Sequence, residues 1–164
     1  MIGQHFDHFG SDAMVQTSPG STVNDKMTDR TLSPKPVIRS SRDLARFCAR
    51  SAAEKKCTDI IAIEISAIDG APADWFVIAT CASEQQIRAV AEYIEQQTAS
   101  ASVPAPRTEG WEALQWVILD YFDVVVHLMR VEARSFYKLE SLWGDGLFFM
   151  LSADGRLIRQ RHSH

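Results

Sequence analysis

The sequence predicts an α/β layered domain built on a mixed sheet, and three observations carry that expectation. Short β-branched runs, DIIAIEIS and WFVIAT, read as buried strands. A long amphipathic stretch follows Ser83, with Ile87, Val90, Ala91 and Ile94 on one stripe. A second pair of apolar runs, QWVILDY and VVVHLM, is separated only by Phe122-Asp123, a tight-turn spacing. Strands alternating with helices in this way form layers around one core.

The elements follow in order. Residues 1–40 are rich in Ser, Thr, Pro and Asp without periodicity, and are expected to form a disordered tail. A first helix begins at Ser40 or Ser41, with Leu44, Phe47, Cys48 and Ala52 at helical spacing and Lys55 and Lys56 at its end. Strands are expected at 59–66 and 75–80, joined by the turn-forming AIDGAPA. Ser83 caps the long helix, and SASVPAPRTEG ends it as a loop. Strands at 115–121 and 124–129 lead into a last helix over 132–143, with Phe136, Leu139, Leu142 and Trp143 on one face. The predicted order is α-β-β-α-β-β-α. LFFML and RLIR, flanking SADG in the 144–164 extension, suggest a hairpin.

Composition narrows the function classes. The chain has 164 residues and 46% hydrophobic side chains, enough to bury a core without disulfide or metal staples. Its net charge is −4, which disfavours a direct grip on DNA or RNA phosphates. The acidity is concentrated in residues 41–143, where 15 acidic side chains outnumber 10 basic ones, and such a body suits a basic protein partner. Three cysteines without a CxxC pair point to free thiols in a cytoplasmic setting. No basic-then-apolar leader stands at the start, and no apolar run approaches the roughly 20 residues of a membrane span.

Chemistry-bearing patterns are sparse. The only Gly-Ser pairs, Gly10-Ser11 and Gly20-Ser21, fall in the expected tail, and no Asp-x-Asp follows a strand. A two-metal phosphoryl-transfer site needs such paired carboxylates. Asp74 has no acidic residue two positions away, and Asp120 and Asp123 lie across a turn. His5, His8, His162 and His164 are too terminal for a metal site, and Cys48 and Cys57 lack metal spacing. Phosphate-binding and dinucleotide glycine patterns are missing, so no cofactor is expected. His127, Asp120 and Arg134 could be grouped as an acid/base cluster, but His127 between Val126 and Leu128 reads better as a structural or interface histidine. Glu109 and Asp120 are candidates to face a cationic partner, or to cap and pair internally. Trp116 is either a partner-facing anchor or a core residue. Tyr137 and Arg134 are neighbours on the last helix.

One resemblance orders these signals. Asp59-Ile60-Ile61, then Ala73-Asp74-Trp75-Phe76-Val77-Ile78-Ala79, Ser83, Glu109-Gly110, Trp116-Val117-Ile118-Leu119-Asp120-Tyr121, Asp123-Val124-Val125-Val126-His127 and the run from Arg134 to Trp143 are together similar to the Iojap/ribosomal silencing factor family. The match spans 41–143, with 1–40 and 144–164 outside it. Two positions depart from the family pattern: Phe122 stands where Gly is usual, and Cys81 where a small residue or Gly is usual.

The resemblance implies a nucleotidyltransferase-like fold without its catalytic residues. It also implies binding to the large ribosomal subunit through its fourteenth ribosomal protein, in standard naming, with steric exclusion of the small subunit under nutrient limitation. Weighed by charge, aromatic character and position, Glu109, Trp116, Asp120, His127 and Arg134 are the candidate partner-binding residues. The rivals are a large-subunit assembly factor and, less well supported, a nucleotidyltransferase-type enzyme. An open sheet edge would offer a route to a homodimer.

Overall fold

A computed structural model describes residues 34–161. Residues 1–33 of the expected tail, and the terminal histidines, lie outside the described residues.

Helix α1 spans Ser41–Glu54, and its N-terminus is set by Ser40, whose side chain accepts a hydrogen bond from the Asp43 amide. Such a cap satisfies one of the amides a helix start leaves unpaired. Leu44, Ala45, Cys48, Ala49 and Ala52 form its buried stripe. Strand β1 (Thr58–Glu64) and strand β2 (Trp75–Cys81) pair antiparallel, and every residue of β2 is buried. Burial on both faces explains why β2 reads as an unbroken apolar run. Helix α2 (Glu84–Ser100) starts at Ser83, which accepts from the Gln86 amide while the Gln86 side chain accepts from the Ala82 amide. Those two reciprocal bonds form a capping box displaced by one residue.

Three strands follow α2: β3 (Arg107–Glu109), β4 (Trp116–Asp120) and β5 (Val124–Arg130). Two short helices, α3 (Val131–Tyr137) and α4 (Leu139–Leu142), precede β6 (Leu147–Leu151) and β7 (Leu157–Arg159). All seven strands join one sheet in the order β3-β4-β5-β2-β1-β6-β7. Only β2 and β5 run parallel, so the sheet is mixed as expected. Both free edges are three-residue strands.

The sheet has two unlike faces. Val77, Ala79, Val117, Leu119, Val126 and Leu128 meet α1 and α2 in the larger core. Ile63, Phe76, Ile78, Val125 and Met129 form the second core, which is covered by α3, α4 and residues of the β1–β2 connection such as Ile68 and Ala71. At about 25 cal/mol per Å² of apolar surface removed from water, the double-helix side supplies most of the burial energy. The thinner side is where apolar groups remain exposed.

Three details differ from the sequence expectation, and the suggested hairpin matches it. Arg107–Glu109 is a strand, not loop, because its backbone completes the edge of β4 despite neighbouring Pro and Ser. The β1 strand begins one residue early, carries a bulge between Thr58 and Ile61, and holds Asp59 at φ +48°. The hairpin of β6 and β7 forms, with β6 also paired to β1. The last helix is not continuous: Lys138 takes φ +48° and divides it. That left-handed residue resets the helical phase, so Leu139 is buried while Phe136 and Leu142 are 79% and 72% exposed. The single apolar face expected for 132–143 is therefore corrected to two divergent ones.

Candidate functional site

The site builds from the alternation of β4. Val117 and Leu119 point into the larger core, so Trp116, Ile118 and Asp120 point to the opposite face. Register places Trp116 against Met129 and Ile118 against His127 on β5, and Glu109 against Ile118 on β3. Glu109, Trp116, Asp120 and His127 thus share one face of the sheet, as directly opposed residues do.

Trp116 is half-buried, and its indole Nε1 donates to Nδ1 of His127 at 3.1 Å. His127 is 5% exposed, with Phe76 edge-on at a centroid distance of 4.6 Å. Because Nδ1 accepts, the neutral ring carries its proton on Nε2, which has no partner. Burial pulls the His127 pKa down to about 4, and the Asp120 charge only partly opposes it. A neutral, enclosed imidazole cannot reach a partner; it orients the indole from beneath.

Tyr137 packs on the outer side of Trp116 with ring centroids 4.7 Å apart, and Phe136 lies edge-on to Tyr137 at 5.0 Å. Val131, Phe136, Tyr137 and Leu142 are all more than half exposed. Phe136, Tyr137 and Trp116 form one run of touching rings, and exposed apolar side chains in contact mark interaction surfaces more often than isolated ones do. The sequence puts Phe136 and Leu142 on one face with Leu139 and Trp143, and no residue type near Lys138 announces the break that separates them.

Arg134 is not part of the outer surface. Its Nε and Nη2 meet Glu140 at 2.7 and 2.6 Å, and Nη1 donates to the Asp59 carbonyl at 2.6 Å and the Thr80 hydroxyl at 2.8 Å. The guanidinium ties α3 and α4 to the ends of β1 and β2. Tyr137, three residues further along α3, packs against Trp116.

Asp120 is engaged locally, its Oδ1 accepting from the Phe122 amide at 2.8 Å. Phe122 has φ +75°, and the Asp123 amide donates to the Tyr121 carbonyl, which closes a γ-turn. This is the left-handed conformation glycine favours, and Phe122 occupies it with 84% of its surface exposed. Gly110 has φ +91°, and a Cβ there would lie 1.9 Å from the Trp116 carbonyl oxygen. Gly110 thereby lets the β3–β4 connection press against the start of β4. No group of three or more His, Cys, Asp or Glu able to hold a metal occurs among the described residues. No described helix is long and apolar enough to cross a membrane.

A family model described as "Ribosomal silencing factor during starvation" matches residues 38–162. This chain belongs to that family. The match takes in β6 and β7 as well as the 41–143 segment. Relatives include the ribosomal silencing factor RsfS of Bacillus subtilis, 33% identical over 106 residues, which cover 65% of this chain and 89% of that protein. The mouse protein named "Mitochondrial assembly of ribosomal large subunit protein 1" is 34% identical over 73 residues, 43% of this chain and 32% of its own length. A crystal structure of a Chromobacterium violaceum protein superposes with a TM-score of 0.61 at 29% identity, covering 65% of this chain and 88% of that one. The silencing-factor family is thus defined here by a regulatory description, and its mixed α/β fold recurs in a solved structure.

Proposed function

We propose that this protein is a translational repressor that docks on the large ribosomal subunit and sterically keeps the small subunit from joining. The observation that carries the reading is the exposed Phe136 and Tyr137 beside Trp116, in a chain of the silencing-factor family. Aromatic residues on a firm sheet with carboxylates at the margin suit a basic protein surface. The contact on the ribosome is the fourteenth ribosomal protein of the large subunit. Trp116 is the central anchor, Glu109 and Asp120 supply the acidic rim, and His127 and Arg134 act by holding the anchor and α3 in place.

No catalytic step belongs to this mechanism; a nucleotidyltransferase-like fold without paired metal-binding carboxylates would serve only as scaffold. The protein acts in the cytoplasm through residues 41–143, with 1–40 dispensable and 144–164 an extension that completes the sheet. A homodimer would form through β3 or β7, the two free sheet edges, and sedimentation of the free protein tests for it.

The deciding experiment adds purified protein to separated ribosomal subunits and follows joining on density gradients. Joined particles should fall while the protein travels with the large subunit; full joining at saturating protein would overturn the proposal. A second reading, assembly of the large subunit, is favoured by the name of the mouse relative. Cells lacking the protein would then accumulate large-subunit precursors, whereas repression of joining requires only mature subunits.

A further inference from the structure

Two of the three cysteines meet on the sheet face opposite Trp116. Sγ of Cys57 lies 3.6 Å from Sγ of Cys81. Cys57 immediately precedes β1, and Cys81 ends β2. Thr58 faces Thr80 in the antiparallel pair, so Cys57 and Cys81 occupy the next facing positions along it. Facing residues in such a pair have Cα atoms about 4.5–5.5 Å apart, within the range a disulfide spans. The sulfurs would need to close from 3.6 Å to about 2.05 Å, a movement that side-chain rotation and a small strand adjustment can provide.

The pair is accessible from one side only. Cys81 is fully buried, whereas Cys57 keeps 9% of its surface exposed and lines a groove of about 580 Å³. Arg50, Glu54, Asp59, Ser152 and Asp154 form much of the polar wall of that groove. A small hydrophilic oxidant can therefore reach the Cys57 sulfur while Cys81 waits behind it. We infer that Cys57 and Cys81 form a reversible intramolecular disulfide when the protein meets a small peroxide.

The surroundings favour the chemistry. The thiol contact from Cys57 lowers the Cys81 pKa, burial opposes this, and the Arg130 charge adds to the lowering. The same contact, with burial, raises Cys57. The two sulfurs share a hydrogen bond and behave as a single titrating unit. When the negative charge resides on Cys57, that thiolate attacks the peroxide; the O–O bond breaks, hydroxide leaves, and Cys57 becomes a sulfenic acid. Cys81, deprotonated, attacks the Cys57 sulfur, forming S–S and expelling a second hydroxide. The two thiol protons neutralise the two hydroxides. Two thiols and one hydrogen peroxide become one disulfide and two waters, the peroxide being reduced. Cys48 stands apart: burial pushes its thiol up to about 12, which keeps it protonated and unreactive.

The test uses the full chain, fully reduced and then treated with hydrogen peroxide, with remaining thiols alkylated by a maleimide in acidic denaturant. The alkylated thiol count should fall from three to one, with a mass loss of two hydrogen atoms before alkylation is counted. A digest without reductant should contain one cross-linked peptide joining Cys57 to Cys81, and dithiothreitol should restore all three thiols. C48S should still form the link; C57S and C81S should not. A cross-link through Cys48, disulfide-bonded dimers in place of the internal link, or Cys57 passing to sulfinic acid without a link would each overturn the inference. The wild-type digest decides the matter even if a serine variant folds poorly.

Discussion

Acid should weaken this fold through one imidazole. His127 titrates at about 4 in the folded chain, against an ordinary value of 6.5, because burial excludes its charged form. In the unfolded chain the ring takes up a proton as pH falls below about 6.5. Between these values the unfolded state binds more protons, so stability is full above about 6.5 and drains away as pH falls toward 4. The 2.5-unit gap between 6.5 and about 4, at about 1.4 kcal/mol per pH unit, corresponds to roughly 3 kcal/mol. A urea m-value of about 1–3 kcal/mol per molar turns this into a midpoint shift of roughly 1–3 M. Urea unfolding of the wild type and of His127→Gln across pH 4 to 7 isolates the contribution. The glutamine amide can still accept from the Trp116 indole, but it does not titrate. The variant should lack the part of the slope due to His127, whatever its stability at neutral pH. Equal slopes in the two proteins would show that the imidazole charges freely in the folded state, and the enclosed Trp116–His127 pair would be wrong.

Four further outcomes follow from the geometry. Gly110→Ala should cost more than about 3 kcal/mol, since the new methyl meets the Trp116 carbonyl at 1.9 Å in a backbone that already has φ +91°; thermal melting measures it, and a loss below about 1 kcal/mol would refute the close approach. Phe122→Gly should stabilise by about 0.5–1 kcal/mol, the relief of a left-handed residue less the extra freedom of an unfolded glycine, and a destabilised variant would mean that the exposed ring has a contact in the folded state. Arg134→Leu should cost about 2–4 kcal/mol in chemical unfolding by stranding Glu140, Thr80 and the Asp59 carbonyl; near-neutral behaviour would remove its clamping role. Phe136→Asp should leave folding within about 0.5 kcal/mol but weaken subunit binding by at least about 2 kcal/mol. Intact binding by that variant would move the docking surface elsewhere.

Much of the fold was readable because its signals are redundant. Serine caps at positions 40 and 83, the stripe of Ile87, Val90 and Ile94, and the unbroken apolar β2 each agree with their surroundings. What escaped reading depends on contacts made elsewhere. Strand β3 has three residues and exists because β4 lies beside it. The divided last helix depends on the left-handed Lys138, which carries no local mark in the residue types. The site was half legible for the same reason. The sequence left Trp116 either core or partner-facing, and the structure has it half-buried on the face opposite Val117. Phe136 and Leu142 were expected to share a face with buried Leu139, as an unbroken helix would have had it, yet both are exposed. Neither the burial of His127 nor the inward reach of Arg134 could be read without the neighbouring strands that enclose them.

The pairing of β1 with β6 joins Ile61 to Met150, positions far apart along the chain. During synthesis, β1 and β2 can pair early, but the outer edge of β1 stays open until the last strands emerge. Contacts of such long sequence separation are slow to form because a large loop must close first. The nascent chain therefore carries an apolar, half-paired strand for much of its elongation, the kind of edge that recruits other strands. Deleting β6 and β7 would make that interval permanent, so truncated chains should aggregate even though all four described helices and the Trp116 surface precede the cut.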